Sequence, residues 1–385
     1  MKFALYTICV SPHQIPLAKA LIARIGAEEY RYVHIEPQPE FRKSLGWCDE
    51  QEPWILRLSE NPDEGKRVIE TSDILMSCVR DYELFKKRGK YGRTTLYCSE
   101  RWFKPVVGFL RLLYPSYLKM AWQYVRLLRS DNNFFYYPIG IHAAEDMARL
   151  CGLFAGDLRC LFRAPRLRFE SKPGGAIRLL NGSIGERYCL DKMRMWGYFV
   201  EPSKFVEHSD RLVNEISPAE MKILWVGRLL NLKRVDTIVR AVCALVKLHS
   251  KNKSLHRITL DIYGTGKEEP KIRKLVRGYE DVIRLYPPVP IKKVRQLMRS
   301  HNVYILSSNA LEGWGAVINE AMEEGMTVIG TYEAGGSATI LPNSNLFHAG
   351  DWRTLSEILR MGGSKIGIGM WTAHAAADAL LIDLK

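Results

Sequence analysis

Residues 223–245 read ILWVGRLLNLKRVDTIVRAVCAL, and the order of residue types in this stretch decides the fold. Residues 223–226 form an apolar run, which predicts a short buried strand. Gly227 opens a turn flanked by Arg228 and Lys233. Val235, Ile238, Val239, Val242 and Leu245 then recur at helical spacing, so the pattern predicts an amphipathic helix. The same order repeats downstream. ITLDIYGTGKEEPKIRKLV (258–276) reads as strand, turn at Gly264 and Gly266, and helix; VIRLYPPVPIKKVRQLMRS (282–300) as strand, turn, and a helix with Pro290 at its first position. NVYILSS (302–308) is a buried strand ending in Ser307 and Ser308. Strands alternating with helices predict an α/β domain with a parallel sheet covered on both faces. In such sheets ligands lie beyond the carboxyl ends of the strands, where Arg228 and Lys233 fall.

ALEGWGAVINEAMEEGMTVIG (310–330) follows. Glu312 and Glu320 enclose seven residues, with Gly313 and Gly315 just after the first acid. Residues 316–324 predict a helix and residues 326–329 a buried strand. A helix N-terminus with glycines before it suits phosphate, because backbone N–H groups and a partial positive charge lie open to a bulky anion. The element can hold a diphosphate on the amides of Gly313, Trp314, Gly315 and Ala316, present Glu312 to a sugar and offer Glu320 to a ribose hydroxyl. Arg228 and Lys233 at a strand edge suit the same diphosphate, the arginine in bidentate fashion.

The two stretches together resemble the retaining glycosyltransferases of the GT-B fold, in particular glycosyltransferase family 4. The usual family motif is Glu-Gly-Phe-Gly, an apolar run and Glu-Ala-Met; here Trp314 occupies the aromatic slot and Asn319 precedes Glu320. The family also has a strand ending in Gly-Arg-Leu with a lysine five residues past the arginine, matched by Gly227, Arg228 and Lys233. The resemblance covers residues 220–360 well and the N-terminal half in outline. It implies two Rossmann-like domains with parallel sheets facing across a cleft: an acceptor-binding domain at 1–200, a linker at 201–210, a donor domain at 211–370, and a final helix at 371–385 that packs back onto the first domain. It implies that Arg228 and Lys233 grip the donor diphosphate, Glu312 contacts the donor sugar, Glu320 the ribose, and Leu285 and Tyr286 the nucleobase, with Pro287 in place of a usual glycine. Gly335 and Gly336 match a glycine pair near the donor, while Thr339 stands near the place of an acid. The implied reaction moves a sugar from a nucleoside-diphosphate sugar to a glycan or lipid-linked glycan with retention, in cell-surface polysaccharide or glycolipid synthesis. No DxD motif is present, so metal independence is expected, with no cofactor beyond the nucleotide sugar. A nucleotide-sugar epimerase or phosphorylase of the same fold, or a silent scaffold of glycan assembly, are the alternatives.

A chain of 385 residues fits two domains, and 47% hydrophobic with 25% charged residues describes a globular protein. No apolar run reaches the roughly 20 residues that span a bilayer. Residues 1–10 fit a first strand better than a signal peptide, having one lysine and no small-residue cleavage site before Ser11-Pro12. Eight scattered cysteines without a CxxC pair point to buried thiols in a reducing compartment, hence a cytoplasmic location and no zinc site. In the N-terminal half the pattern predicts strands at 3–10, 30–35, 73–78, 94–98, 134–137 and 193–196, and helices at 15–25, 80–90, 103–129 with a break at Pro115, and 142–150. Residues 152–192 are poorly patterned.

Charge is uneven. The net charge is +14, and residues 86–129 hold eleven Lys or Arg against the single acid Glu100. Aromatic residues interleave with these cations: Tyr91, Tyr97, Trp102, Phe103, Phe109, Tyr114, Tyr117, Trp122 and Tyr124. A basic, aromatic surface suits anionic lipid headgroups, so the segment predicts peripheral contact with the cytoplasmic face of a membrane. No nucleic-acid motif accompanies it, and no nucleic-acid partner is expected. Acceptor-side candidates are His13 in the turn after the first strand, His142 at a later strand-to-helix turn, and Glu100 at a strand end.

Overall fold

The alternation of apolar runs and amphipathic stretches becomes two six-stranded parallel sheets. A computed structural model describes residues 1–43, 52–180, 186–203, 220–251 and 257–383. It divides into two units, Met1–Val200 with Met370–Lys385, and Glu201–Gly369. Residues 204–219, which hold most of the expected linker and the expected start of the donor domain, lie outside the described residues.

In the first unit the elements run β1 (Phe3–Thr7), α1 (Ile15–Ile25), β2 (Tyr30–His34), α2 (Glu40–Lys43), β3 (Ile55–Arg57), α3 (Pro62–Thr71), β4 (Ile74–Ser77), α4 (Tyr82–Lys90), β5 (Thr94–Ser99), α5 (Pro115–Ser130), β6 (Phe134–Pro138) and α6 (Ile141–Phe154), with a hairpin of β7 (Leu167–Phe169) and β8 (Ile177–Leu179). The sheet order is β3-β2-β1-β4-β5-β6, and Phe3 of β1 pairs with Tyr30 on one side and Ile74 on the other. The helix Ala373–Asp383 belongs to this unit; Arg24 of α1 holds it with a 2.6 Å contact to Asp378 and a bond to the His374 carbonyl. Arg88 of α4 is fully buried and donates to the carbonyls of Ile69, Ser72 and Thr94, closing the C-terminal end of α3 onto β5. A buried guanidinium is tolerated because its donors meet carbonyl oxygens.

The structure corrects several sequence expectations. The expected helix 103–129 does break at Pro115, which lacks the N–H to continue a helix and fits the first turn of α5, but before the break only a 3-10 turn over Gly108–Leu113 forms. Residues 193–196 run beside β6 through isolated parallel bridges, Tyr136 to Met193 and Ile139 to Trp196, and form no strand. The unpatterned 152–192 region contains the antiparallel β7–β8 hairpin.

The second unit runs β9 (Glu220–Val226), α7 (Val235–Lys251), β10 (Arg257–Tyr263), α8 (Glu269–Val276), β11 (Ile283–Tyr286), α9 (Ile291–Arg299), β12 (Val303–Leu306), α10 (Val317–Glu323), β13 (Thr327–Thr331), α11 (Gly335–Ile340), β14 (Leu346–Phe347) and α12 (Trp352–Met361). The order is β11-β10-β9-β12-β13-β14, all parallel. One face buries Ile223, Trp225, Ile238, Val242, Leu260 and Leu355; the other buries Leu224, Tyr304, Leu306, Ile318, Met322 and Val328. Strands this apolar on both faces are what a doubly covered parallel sheet requires. Strand order reverses between β9 and β12, and at such a switch point the loops leaving the two strands diverge and open a crevice.

Candidate functional site

The loops that leave β9 and β12 meet at that switch point. Ser307 Oγ donates to the Lys233 carbonyl at 2.6 Å, and the Asn309 amide donates to the Leu232 carbonyl at 2.8 Å. These bonds fix the Lys233 backbone against the end of β12. The Lys233 ammonium then donates to the Glu312 carboxylate, which also accepts from Ser308 Oγ at 2.9 Å. The two side chains are 21% and 16% exposed, so the pair is neither sealed in the core nor loose in solvent. Arg228 stands exposed on the same β9 turn. The turn itself is anchored to the neighbouring loop: the Gly227 amide donates to Tyr263 and the Leu229 amide to Thr265. At Gly264 an added Cβ would stand 1.9 Å from the Gly227 carbonyl oxygen, so only glycine permits this approach.

The Glu312 loop is braced from a third strand. Gly335 and Gly336, after β13, donate their amides to the carbonyls of Gly313 and Trp314 at 2.8 and 2.9 Å. A Cβ at Gly336 would meet the Trp314 carbonyl oxygen at 2.5 Å, which explains the second glycine by close packing. Thr331 Oγ1 donates to the Ser308 carbonyl. Gly315, at φ 82°, adopts the left-handed conformation that lets the loop turn into α10 at Ala316. The Trp314 indole is 1% exposed and its Nε1 donates to Asn319 Oδ1 at 2.8 Å, so the side chain anchors the loop to α10 from inside the core.

Glu320 lies on α10, half-buried. Burial raises its carboxyl to about 7, Glu324 adds to the rise and Arg295 opposes it. Glu324 is held by Arg295 at 2.6 Å and Arg299 at 3.1 Å. At the ends of β10 and β11, Tyr263 and Tyr286 stack with ring centroids 4.6 Å apart and planes at 15°. Leu285 precedes Tyr286 on β11, half-buried. Tyr263 and Ser308 were not among the residues singled out by sequence. The signal for Tyr263 was its register: it pairs directly with Tyr286, one residue before a glycine turn.

In the first unit the switch point lies between β1 and β4, and His13 sits in the loop after β1. Its ring lies 5.9 Å from that of Tyr198, whose phenol donates to Glu100 at 3.4 Å; Lys104 holds the other Glu100 oxygen at 3.0 Å. His13 and Glu100 are thus joined through Tyr198, a residue that sequence reasoning missed. Burial, with the Arg42 charge second, lowers His13 to about 4, so it is neutral at physiological pH. His142 bonds Glu145 at 3.0 Å within its own helix and is not part of that cluster. In segment 86–129, Tyr97, Trp102, Phe103 and Tyr124 pack in the core, whereas Tyr91, Tyr114 and Trp122 are exposed.

Two parallel Rossmann-like sheets, one carrying cations and a carboxylate at its switch point, give the GT-B architecture. Residues 220–360 match the family model described as glycosyl transferases group 1. The GtfA subunit of the UDP-N-acetylglucosamine–peptide N-acetylglucosaminyltransferase of Streptococcus gordonii is 32% identical over 117 residues, 30% of this chain and 21% of that protein. The Streptococcus pneumoniae counterpart is 30% identical over 121 residues, 31% of this chain and 22% of the relative. The chain therefore spans about a fifth of the length of these curated relatives. Among solved structures, the lipopolysaccharide outer core galactosyltransferase WaaB superposes with a TM-score of 0.57 at 14% identity, over 100% of both chains. HepE of Anabaena in complex with UDP gives 0.52 at 14% identity, over 99% of this chain and 94% of that one. These likenesses establish the fold.

Proposed function

We propose that the protein is a retaining glycosyltransferase that moves a sugar from a UDP-linked donor to a glycan or lipid-linked glycan acceptor, in cell-surface polysaccharide or glycolipid synthesis. The observation that carries this reading is the Lys233–Glu312 pair at the β9/β12 switch point, inside the matched segment. A glycosyl transfer breaks the bond from the anomeric carbon to the diphosphate and forms one to the acceptor oxygen. Arg228 and Lys233 neutralise the charge that grows on the departing diphosphate, the largest electrostatic demand of the reaction. Glu312, freed from Lys233 as the phosphates arrive, accepts hydrogen bonds from donor-sugar hydroxyls. Glu320 bonds the ribose, and the Tyr263–Tyr286 stack offers an aromatic platform to the uracil. The acceptor attacks on the face from which the diphosphate leaves, and its proton passes to the leaving phosphate. With two cations on the diphosphate, no divalent metal is required. UDP is chosen because the S. gordonii relative is named for a UDP-sugar and the HepE structure holds UDP.

His13, Tyr198 and Glu100 form the acceptor-side candidates on the first unit, and segment 86–129 places that unit against an anionic membrane at the cytoplasmic face. Among the described residues no helix is long and apolar enough to cross a bilayer. The test is release of UDP and sugar transfer from a panel of UDP-sugars to glycan and lipid-linked acceptors, comparing wild type with Glu312→Ala. Transfer by wild type and its loss in the variant, with unchanged thermal unfolding, is expected; equal transfer by both refutes the role of Glu312.

A further inference from the structure

The first unit exposes apolar side chains in two places that are distant in sequence. One is the 3-10 turn and α5: Leu110, Leu113, Tyr114, Leu118 and Trp122 are 41–78% exposed. Leu118, Trp122 and Arg126 follow one another at four-residue steps and so share one face of α5, just past Tyr114 at its N-terminal end, with the Arg126 guanidinium 5.2 Å from the Trp122 ring. The other is the loop after α6, read as unpatterned from sequence. Leu158 is 66% exposed, Leu161 47% and Phe162 87%. Residues 158–168, LRCLFRAPRLR, hold four arginines and no acid.

The two places are clasped together. Arg149 of α6 lays its guanidinium 3.4 Å from the centroid of the Phe109 ring, in the 3-10 turn. The same guanidinium donates to the Cys160 carbonyl at 2.6 Å and to the Leu161 carbonyl at 2.8 Å. One side chain thus ties the base of the 158–162 loop to the base of the 108–113 turn. The loop is further fixed by the buried Asp157, which binds Arg159 at 2.8 Å and accepts from the Tyr188 phenol. These exposed apolar residues are therefore held on an ordered base.

We infer that the two segments form one composite docking face, and that its occupant is the surface of an anionic phospholipid bilayer. The inference rests on the peripheral-membrane reading above and adds the second segment to it. Charge complementarity decides the partner. The loop is wholly cationic around its leucines and phenylalanine, and the α5 stripe carries Lys119 and Arg126 beside its aromatic residues. Apolar tips gain by entering the acyl boundary, while arginines on their flanks meet lipid phosphates. Exposed apolar side chains clustered on a charged surface suit an interaction site.

The test is sedimentation of the full chain with phosphatidylcholine vesicles, with and without phosphatidylglycerol. Three proteins are compared: wild type, Leu158→Asp/Phe162→Asp, and Leu113→Asp/Trp122→Asp. All four positions are exposed, so unchanged thermal unfolding and UDP binding report an intact fold. Wild type is expected to bind vesicles that contain phosphatidylglycerol, and each double variant to bind at least about tenfold more weakly. If Leu158→Asp/Phe162→Asp binds like wild type while the other variant does not, the composite face is refuted and the single-segment reading stands. If wild type binds neither vesicle, both readings fall. Preference of wild type for an RNA oligomer over anionic vesicles also overturns the inference.

Discussion

Lys233 and Glu312, 79 residues apart in sequence, share a charge-assisted hydrogen bond across the β9/β12 switch point. Each comes from a different βα loop, and each loop is stitched to the other by the Ser307–Lys233 and Asn309–Leu232 bonds. The ammonium is thereby held beyond the strand ends, bonded to Glu312; in the proposed reaction a diphosphate takes the place of that carboxylate. Four predictions follow from the loops around this pair.

Gly264→Ala brings a methyl group to 1.9 Å from the Gly227 oxygen, between the Arg228 turn and the loop after β10. Neither backbone can yield without breaking the Gly227–Tyr263 bond. Overpacking of this kind costs about 1–3 kcal/mol, seen as a lower Tm. Gly278→Ala is the control: its added Cβ meets nothing, and its φ of 82° gives the strain of a positive φ without a clash. A smaller loss at Gly264 than at Gly278 would contradict the packing argument.

Glu320 gives the protein a pH dependence of known sign. Its carboxyl rises from 4.5 to about 7 on folding. Stability from this group is complete below its unfolded value and is lost as pH rises through the folded one. The full loss is roughly 3 kcal/mol. Glu320→Gln cannot ionise, so its stability relative to wild type should increase between pH 5 and pH 8 in urea titrations. A difference that stays constant across that range would show that Glu320 ionises normally.

Tyr286→Ala removes half of the stacked pair. Base–aromatic stacking contributes about 1–3 kcal/mol, so UDP should bind correspondingly more weakly while inorganic pyrophosphate binds unchanged. Calorimetry with both ligands checks this. Equal weakening of the two would place the defect in the loop and not at a base platform.

Transfer should persist in EDTA. In the proposed mechanism Arg228 and Lys233 supply the positive charge that a divalent ion would otherwise bring to the diphosphate. Loss of activity in EDTA, restored by magnesium or manganese, would contradict the proposed division of labour.

Much of the second unit was legible because each βα step announces itself: an apolar run, a glycine turn, then helical periodicity. The first unit was less so for identifiable reasons. Of α3, PDEGKRVIET, only Gly65 and Ile69 are buried, leaving no apolar period to read. Strand β3 is three residues long and half-buried throughout. In the site, the residues flanking Gly227 and Gly313 could be named from motif spacing. Ser308 and Tyr263 could not, because each matters only through a partner on another strand. Where the Trp314 indole points could not be read from the motif; tertiary packing settles that, here by its bond to Asn319.

The most direct test of the central claim is the calorimetric affinity of UDP for wild type, Lys233→Met and Glu312→Gln. The account predicts that Lys233→Met weakens UDP by about 1.5–3 kcal/mol, the contribution of a charge-assisted bond. Glu312→Gln should keep UDP binding, because in the proposed reaction its carboxylate turns to the sugar and not to the diphosphate. Wild-type UDP affinity in Lys233→Met would contradict the account.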